Sequence, residues 1–176
     1  MLPRYKGGMP REAIKSYPLR LPPSRTEFEE FGLAMAGRAV CSGCGSFYFE
    51  KSWHHPSRDK SKIYGAPFIM CPACRMIKDR VFEGELIIEN VPEKSFGELE
   101  KLIRAYSARA FEEDCQHRLI DLLGYEDSIV ATTTENQLAN KLAKKIKDAF
   151  NRVDIRIANA RAPSDFNLVK IAFAPA

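Results

Sequence analysis

Cys41-Ser42-Gly43-Cys44-Gly45 and Cys71-Pro72-Ala73-Cys74 are two C-x2-C pairs separated by 26 residues. Each pair can form a knuckle in which two thiolates converge on one ion while backbone N–H groups point at the sulfurs. Small residues such as Gly43 and Gly45 permit the tight turn this needs. Four thiolates complete a closed tetrahedral shell with no position left for water or substrate, so the expected site is structural and holds Zn2+ through Cys41, Cys44, Cys71 and Cys74. Iron in the same thiolate cage is the competing reading. Cys115, in Asp114-Cys115-Gln116-His117, reads as a partly buried thiol outside the shell, and His54 and His55 as surface or stacking groups.

Working outward from the cysteines, residues 38 to 84 form a candidate zinc ribbon of loops and short strands, punctuated by Gly65, Pro67 and Pro72. Between and just after the pairs, aromatic and basic residues alternate: Phe47, Tyr48, Phe49, Lys51, Trp53, His54, Arg58, Lys60, Lys62 and Tyr64, then Arg75, Lys78 and Arg80. A metal ribbon has almost no core, so Phe47, Phe49 or Trp53 must in part cover the site. The remainder suits bases and phosphates, and Lys51, Trp53, His54, Arg58, Lys60, Lys62, Arg75, Lys78 and Arg80 are the candidate RNA-binding residues.

Charge distribution supports a polyanionic partner for this half. Residues 1 to 80 carry 14 Lys or Arg against 7 Asp or Glu, whereas residues 81 to 176 carry 13 against 16. Residues 1 to 37 combine several prolines with Arg4, Lys6, Arg11, Lys15, Arg20 and Arg25, which predicts an extended, partly helical basic arm.

From residue 85 the pattern becomes periodic. Leu86, Ile87 and Ile88 read as a strand. Ser95 and Glu98 form a capping box opening a helix that runs to about Glu113 and buries Phe96, Leu99, Leu102, Ile103, Tyr106 and Ala110. Strands follow near residues 118 to 123 and 128 to 133. A second capping box, Thr134 with Gln137, opens a helix with Leu138, Leu142, Ile146 and Phe150 on one face. Val153, Ile155 and Ile157 alternate in one strand, and Val169, Ile171 and Phe173 in the last. This predicts an α+β chain: a basic arm over 1 to 37, a four-cysteine zinc ribbon over 38 to 84, and a ferredoxin-like βαββαβ domain with one added strand over 85 to 176.

The sequence carries no P-loop, dinucleotide fingerprint, nucleophile elbow or His-Glu-x-x-His helix, so no enzyme and no small-molecule substrate is expected. No apolar run reaches the eighteen or so residues of a spanning helix, and residues 1 to 10 lack a secretory stretch, which predicts a cytoplasmic protein without a membrane partner. Paired cysteines fit a reducing compartment.

The two cysteine motifs, the Trp53 region, Arg75, Ile77 and Asp79 after the second pair, and Thr132-Thr133-Thr134 before Leu138-Ala139-Asn140-Lys141-Leu142-Ala143 resemble short prokaryotic zinc-ribbon proteins. More distantly they resemble the zinc-binding N-terminal region of nonsense-mediated-decay factor three, an adaptor of the large ribosomal subunit. The likeness spans about residues 38 to 158. It implies association with RNA, ribosomal RNA or ribosomal proteins in particular, without catalysis. The alternative from the charge balance after residue 80 is a zinc-stabilised protein-interaction module or accessory subunit; a DNA-binding regulator is a third reading.

Overall fold

A computed structural model describes residues 37–59, 61–159 and 166–174. Apart from Gly37, the expected basic arm lies outside the described residues, as do Lys60 and the side chain of Lys62. Among the described residues the fold is mixed α+β, with two sheets and three α-helices.

The first sheet has the order β3-β2-β1-β4, built from β1 (Arg38–Cys41), β2 (Phe47–Phe49), β3 (Ser52–His54) and β4 (Phe68–Ile69). Strand β1 pairs antiparallel with β2 and parallel with β4. The β2–β3 hairpin turns through Glu50 and Lys51, both at positive φ. After β4 the chain forms helix α1 (Pro72–Asp79), which the reading of this segment as loops and strands did not anticipate. Its local causes are in the sequence: Cys71 accepts the Cys74 N–H as N-cap, Pro72 begins the helix, Lys78 lies in the last turn, and Arg80 closes it in the left-handed conformation.

The second sheet has the order β6-β7-β5-β9-β8. In chain order it is built from β5 (Gly84–Glu89), α2 (Phe96–Glu113), β6 (Leu119–Gly124), β7 (Ile129–Thr133), α3 (Asn136–Ala149), β8 (Val153–Asn159) and β9 (Asn167–Phe173). The expected succession of elements is present, but the sheet order departs from a ferredoxin-like one. There the strand after the second helix lies beside the first strand; here the added strand β9 takes that place, runs parallel to β5, and leaves β8 at the edge. The distribution of apolar surface accounts for this. Val169, Ile171 and Phe173 of β9 are all buried, whereas β8 leaves Ile157 52% exposed and carries Asp154 and Arg156 toward solvent.

Leu86, Ile88, Leu122, Ile129, Ala131, Val169, Ile171 and Phe173 of the sheet meet Leu99 and Ile103 of α2 and Leu138, Leu142 and Ile146 of α3 in one apolar cluster. A buried Leu or Ile side chain contributes roughly 1.5–3 kcal/mol, so burial dominates the stability of this half. In the first half, the cluster around the cysteines has only Cys41, Cys71 and Ala73 fully buried, with Cys44, Trp53 and Cys74 packed against them.

Neither expected capping box forms as written. Ser95 makes no side-chain cap bond, because a 3-10 turn over Glu93–Ser95 leads into α2 and the Glu93 carbonyl accepts the Phe96 N–H. Thr134 is buried, and its hydroxyl accepts the Arg118 N–H at 2.9 Å and donates to the Gln116 carbonyl. It ties the α2–β6 connection to the end of β7 and leaves Glu135 as the residue before α3.

Candidate metal centre

The first knuckle follows directly from β1. Ser46 O accepts the Cys41 N–H at 2.7 Å and Cys41 O accepts the Gly45 N–H at 3.0 Å, folding the chain back through Gly45 at φ 75°. The second pair comes from the N-terminus of α1, so one pair stands on a strand end and the other on a helix start. A Ser42 N–H to Ile69 O bond of 3.0 Å, beside the β1–β4 pairing, fixes the two pairs relative to each other.

The four sulfurs lie within 4.8 Å of one another. Cys44 Sγ and Cys71 Sγ are 3.8 Å apart, far longer than the roughly 2.05 Å of a disulfide and equal to the edge of about 3.8 Å of a tetrahedron with metal–sulfur bonds near 2.3 Å. Backbone donors point at the ligands: Gly43 N–H and Cys71 N–H donate to Cys41 Sγ at 3.3 and 3.2 Å, and Cys74 N–H donates to Cys71 Sγ at 3.4 Å. A Cβ at Gly43 would stand 3.1 Å from Cys74 Sγ, so a side chain there would crowd the cluster. Donor chemistry, spacing and the absence of any disulfide among the described cysteines together make this four-cysteine cluster a candidate metal site.

Hydrogen bonding from Cys71 pushes the Cys44 thiol down to about 3, the same contact pushes Cys71 up, and burial pushes Cys74 up to about 12. The bare cluster therefore favours a thiolate at Cys44, beside the helix N-terminus, and further thiolates in the same half-buried space would take a cation.

Around the cluster lie residues that spacing did not reveal. Ser46 is fully buried with its hydroxyl 3.2 Å from Cys44 Sγ. Cys115, buried and with its thiol pushed up by burial, lies beside Ser46. Gln116 accepts the Ala73 N–H through Oε1 at 3.2 Å and donates from Nε2 to Cys115 Sγ at 3.5 Å. The α2–β6 connection therefore braces the start of α1.

The candidate RNA-binding residues fall into three groups. Lys51, Arg58, Lys78 and Arg80 are exposed and Arg75 half-buried, with Arg80 ion-paired to Asp121 at 3.1 Å. Trp53 packs against the cysteine cluster and tilts against Tyr48, with ring centroids 5.5 Å apart, and its buried Nε1 has no hydrogen-bond partner. It is a cover for the site. His54 is held inside the hairpin, with Nε2 3.1 Å from both Phe49 O and Ser52 Oγ, and its ring against Phe47. His55 turns instead to Ser57 and Phe111. Two aromatics that the site reading left out of the contact set are open to solvent: Tyr64, 93% exposed, and Phe68, 75% exposed.

No described helix is long and apolar enough to cross a membrane. In comparison with known proteins, no family model, curated protein or solved structure matches the chain.

Proposed function

We propose that the chain is a non-enzymatic zinc protein of the cytoplasm whose metal half binds RNA, ribosomal RNA on the ribosome or a ribosomal subunit in particular. Zinc in the four-thiolate shell acts as a structural brace for a region too poor in apolar contacts to hold itself together. The observation that carries the RNA reading is the surface charge of that region. Residues 38 to 80 contain eight Lys or Arg against three Asp or Glu, and Lys51, Arg58 and Lys78 are exposed there together with the rings of Tyr64 and Phe68. Cations that track a phosphate backbone, interspersed with open aromatic faces, are what single-stranded and loop RNA readers use. Ribosomal RNA enters through the resemblance to ribosome-associated zinc-binding proteins. Trp53 serves the reading indirectly, by holding the fold around the metal.

The test is the salt dependence of RNA binding by the full chain. With about five phosphate contacts to single-stranded RNA, raising salt from about 50 to 200 mM weakens binding roughly one-hundred-fold through counterion release. Replacing Arg58 and Lys78 together by Ala lowers the slope by about one and a half units, whereas Tyr64→Ala weakens binding at an unchanged slope. Salt-independent association with a purified protein, or no co-sedimentation with ribosomes at low salt, overturns the RNA reading in favour of a zinc-stabilised protein-interaction module.

A further inference from the structure

A shallow, largely open depression of about 250 Å³ lies between α2 and the start of β6, lined by Arg104, Ser107, Ala108, Phe111, Arg118 and Leu119. Two of its polar groups are out of keeping with a packing role. Ser107 lies on the stripe of α2 that includes Leu99, Ile103 and Ala110, is only 5% exposed, and its hydroxyl has no hydrogen-bond partner. Nη1 of Arg118 is likewise buried and unpartnered. An unpaired buried hydroxyl is destabilising, and alanine is both apolar and a better helix former, so packing and propensity each favour Ala at position 107. The guanidinium of Arg118 is held over the Phe111 ring at 4.2 Å, which fixes its plane without using its N–H groups. Arg104 is tethered through Nε to Glu100 Oε1 at 3.1 Å, leaving its terminal Nη groups for another acceptor. Donors thus converge from α2 and from the residue just before β6, with the Glu100 carboxylate that pairs with Arg104 just outside the lining.

We propose that this cavity binds a phosphate group, with the Ser107 hydroxyl and the guanidinium groups of Arg104 and Arg118 as donors. Arg118 supplies one cation and Arg104, ion-paired to Glu100, a second guanidinium fork, so the number of donors rather than net charge favours the several oxygens of a phosphate monoester over a carboxylate. Its several oxygens can take donors from α2 and from Arg118 just before β6 together, and guanidinium groups bind such oxygens in pairs. Ala108, Phe111 and Leu119 offer an apolar wall to whatever carries the phosphate. At 250 Å³ the space lies just below the usual range of small-molecule pockets, about 300–1,000 Å³, so the ligand is small or only partly enclosed. A mononucleotide and an RNA chain share this chemistry. The site is carried by residues other than those of the metal half and stands or falls separately from the RNA reading above.

Calorimetric titration of the full chain at low salt with inorganic phosphate, adenosine monophosphate and a short oligouridylate tests it. Phosphate binds saturably, Ser107→Ala weakens it on the order of tenfold, and Arg118→Gln abolishes it. Arg156→Gln, on the far edge strand, leaves it unchanged. The melting temperature of Ser107→Ala stays level or rises, which separates lost binding from lost fold. Tighter Ser107-dependent binding of the nucleotide assigns a free nucleotide, and tighter Ser107-dependent binding of the oligouridylate assigns an RNA chain. The Arg58 and Lys78 replacements leave phosphate binding intact, so failure here and failure of the metal-half reading are distinguishable. Absence of phosphate binding, or binding equally strong in Ser107→Ala, overturns the proposal.

Discussion

At the residue scale, Cys41, Cys44, Cys71 and Cys74 lie together in the fold, and the two C-x2-C pairs are the part of this candidate site that spacing encodes. Their surroundings were not legible. Ser46, Cys115 and Gln116 reach the site only through the packing of the α2–β6 connection on α1, and no local spacing encodes such a contact. Next to them, His117 gives a pH signature. It is 8% exposed, and burial lowers its pKa below the ordinary 6.5, opposed by Asp114 and Glu113 and reinforced by Lys141. The unfolded chain therefore takes up the proton first as pH falls, so stability is full above about 6.5 and declines from there down to the folded pKa. Thermal melts of the wild type between pH 8 and 5 should show this decline, and His117→Gln should flatten it. An equal decline in the variant would assign the slope to other groups.

At the element scale, periodicity identified both long helices and the strands of the second sheet within a few residues, because each lays an apolar face on a shared core. It failed where an element is short or where pairing is non-local. Helix α1 has one full cap and eight residues, too few for a periodic signal. The insertion of β9 between β5 and β8 depends on which strand brings the more apolar face, a comparison between segments that neither segment contains alone. Gly84 marks another non-local constraint. A Cβ there would collide with Thr133 Oγ1 and stand 2.7 Å from Ala139 Cβ, so α3 can approach the start of β5 only over a glycine. Gly84→Ala should lower stability by about 1–3 kcal/mol through overpacking, read as a lower midpoint in urea with an unchanged slope. An unaltered midpoint would show that α3 shifts at no cost.

At the scale of the whole molecule, two differently stabilised halves meet along a narrow seam. The second half rests on a contiguous apolar cluster, and the first on its cysteines. Between them run the Gln116 bond to Ala73, the Arg80–Asp121 ion pair and the edge contact of His55 with Phe111 at ring centroids 4.6 Å apart. A fragment of residues 81 to 176 should therefore stay folded and melt cooperatively whether or not a chelator is present, at a lower temperature than the full chain. A fragment without secondary structure by circular dichroism would mean that the halves share one core. In the full chain, chelation should loosen the first half, since structural zinc supplies on the order of 10 kcal/mol of coupled folding energy in small domains. The account of the first half depends on the metal itself, and X-ray absorption joined to elemental analysis of the purified chain measures it directly. The expected result is one zinc per chain in a shell of four sulfurs near 2.3 Å, lost in Cys71→Ser; a chain free of metal, or one holding iron in its place, contradicts it.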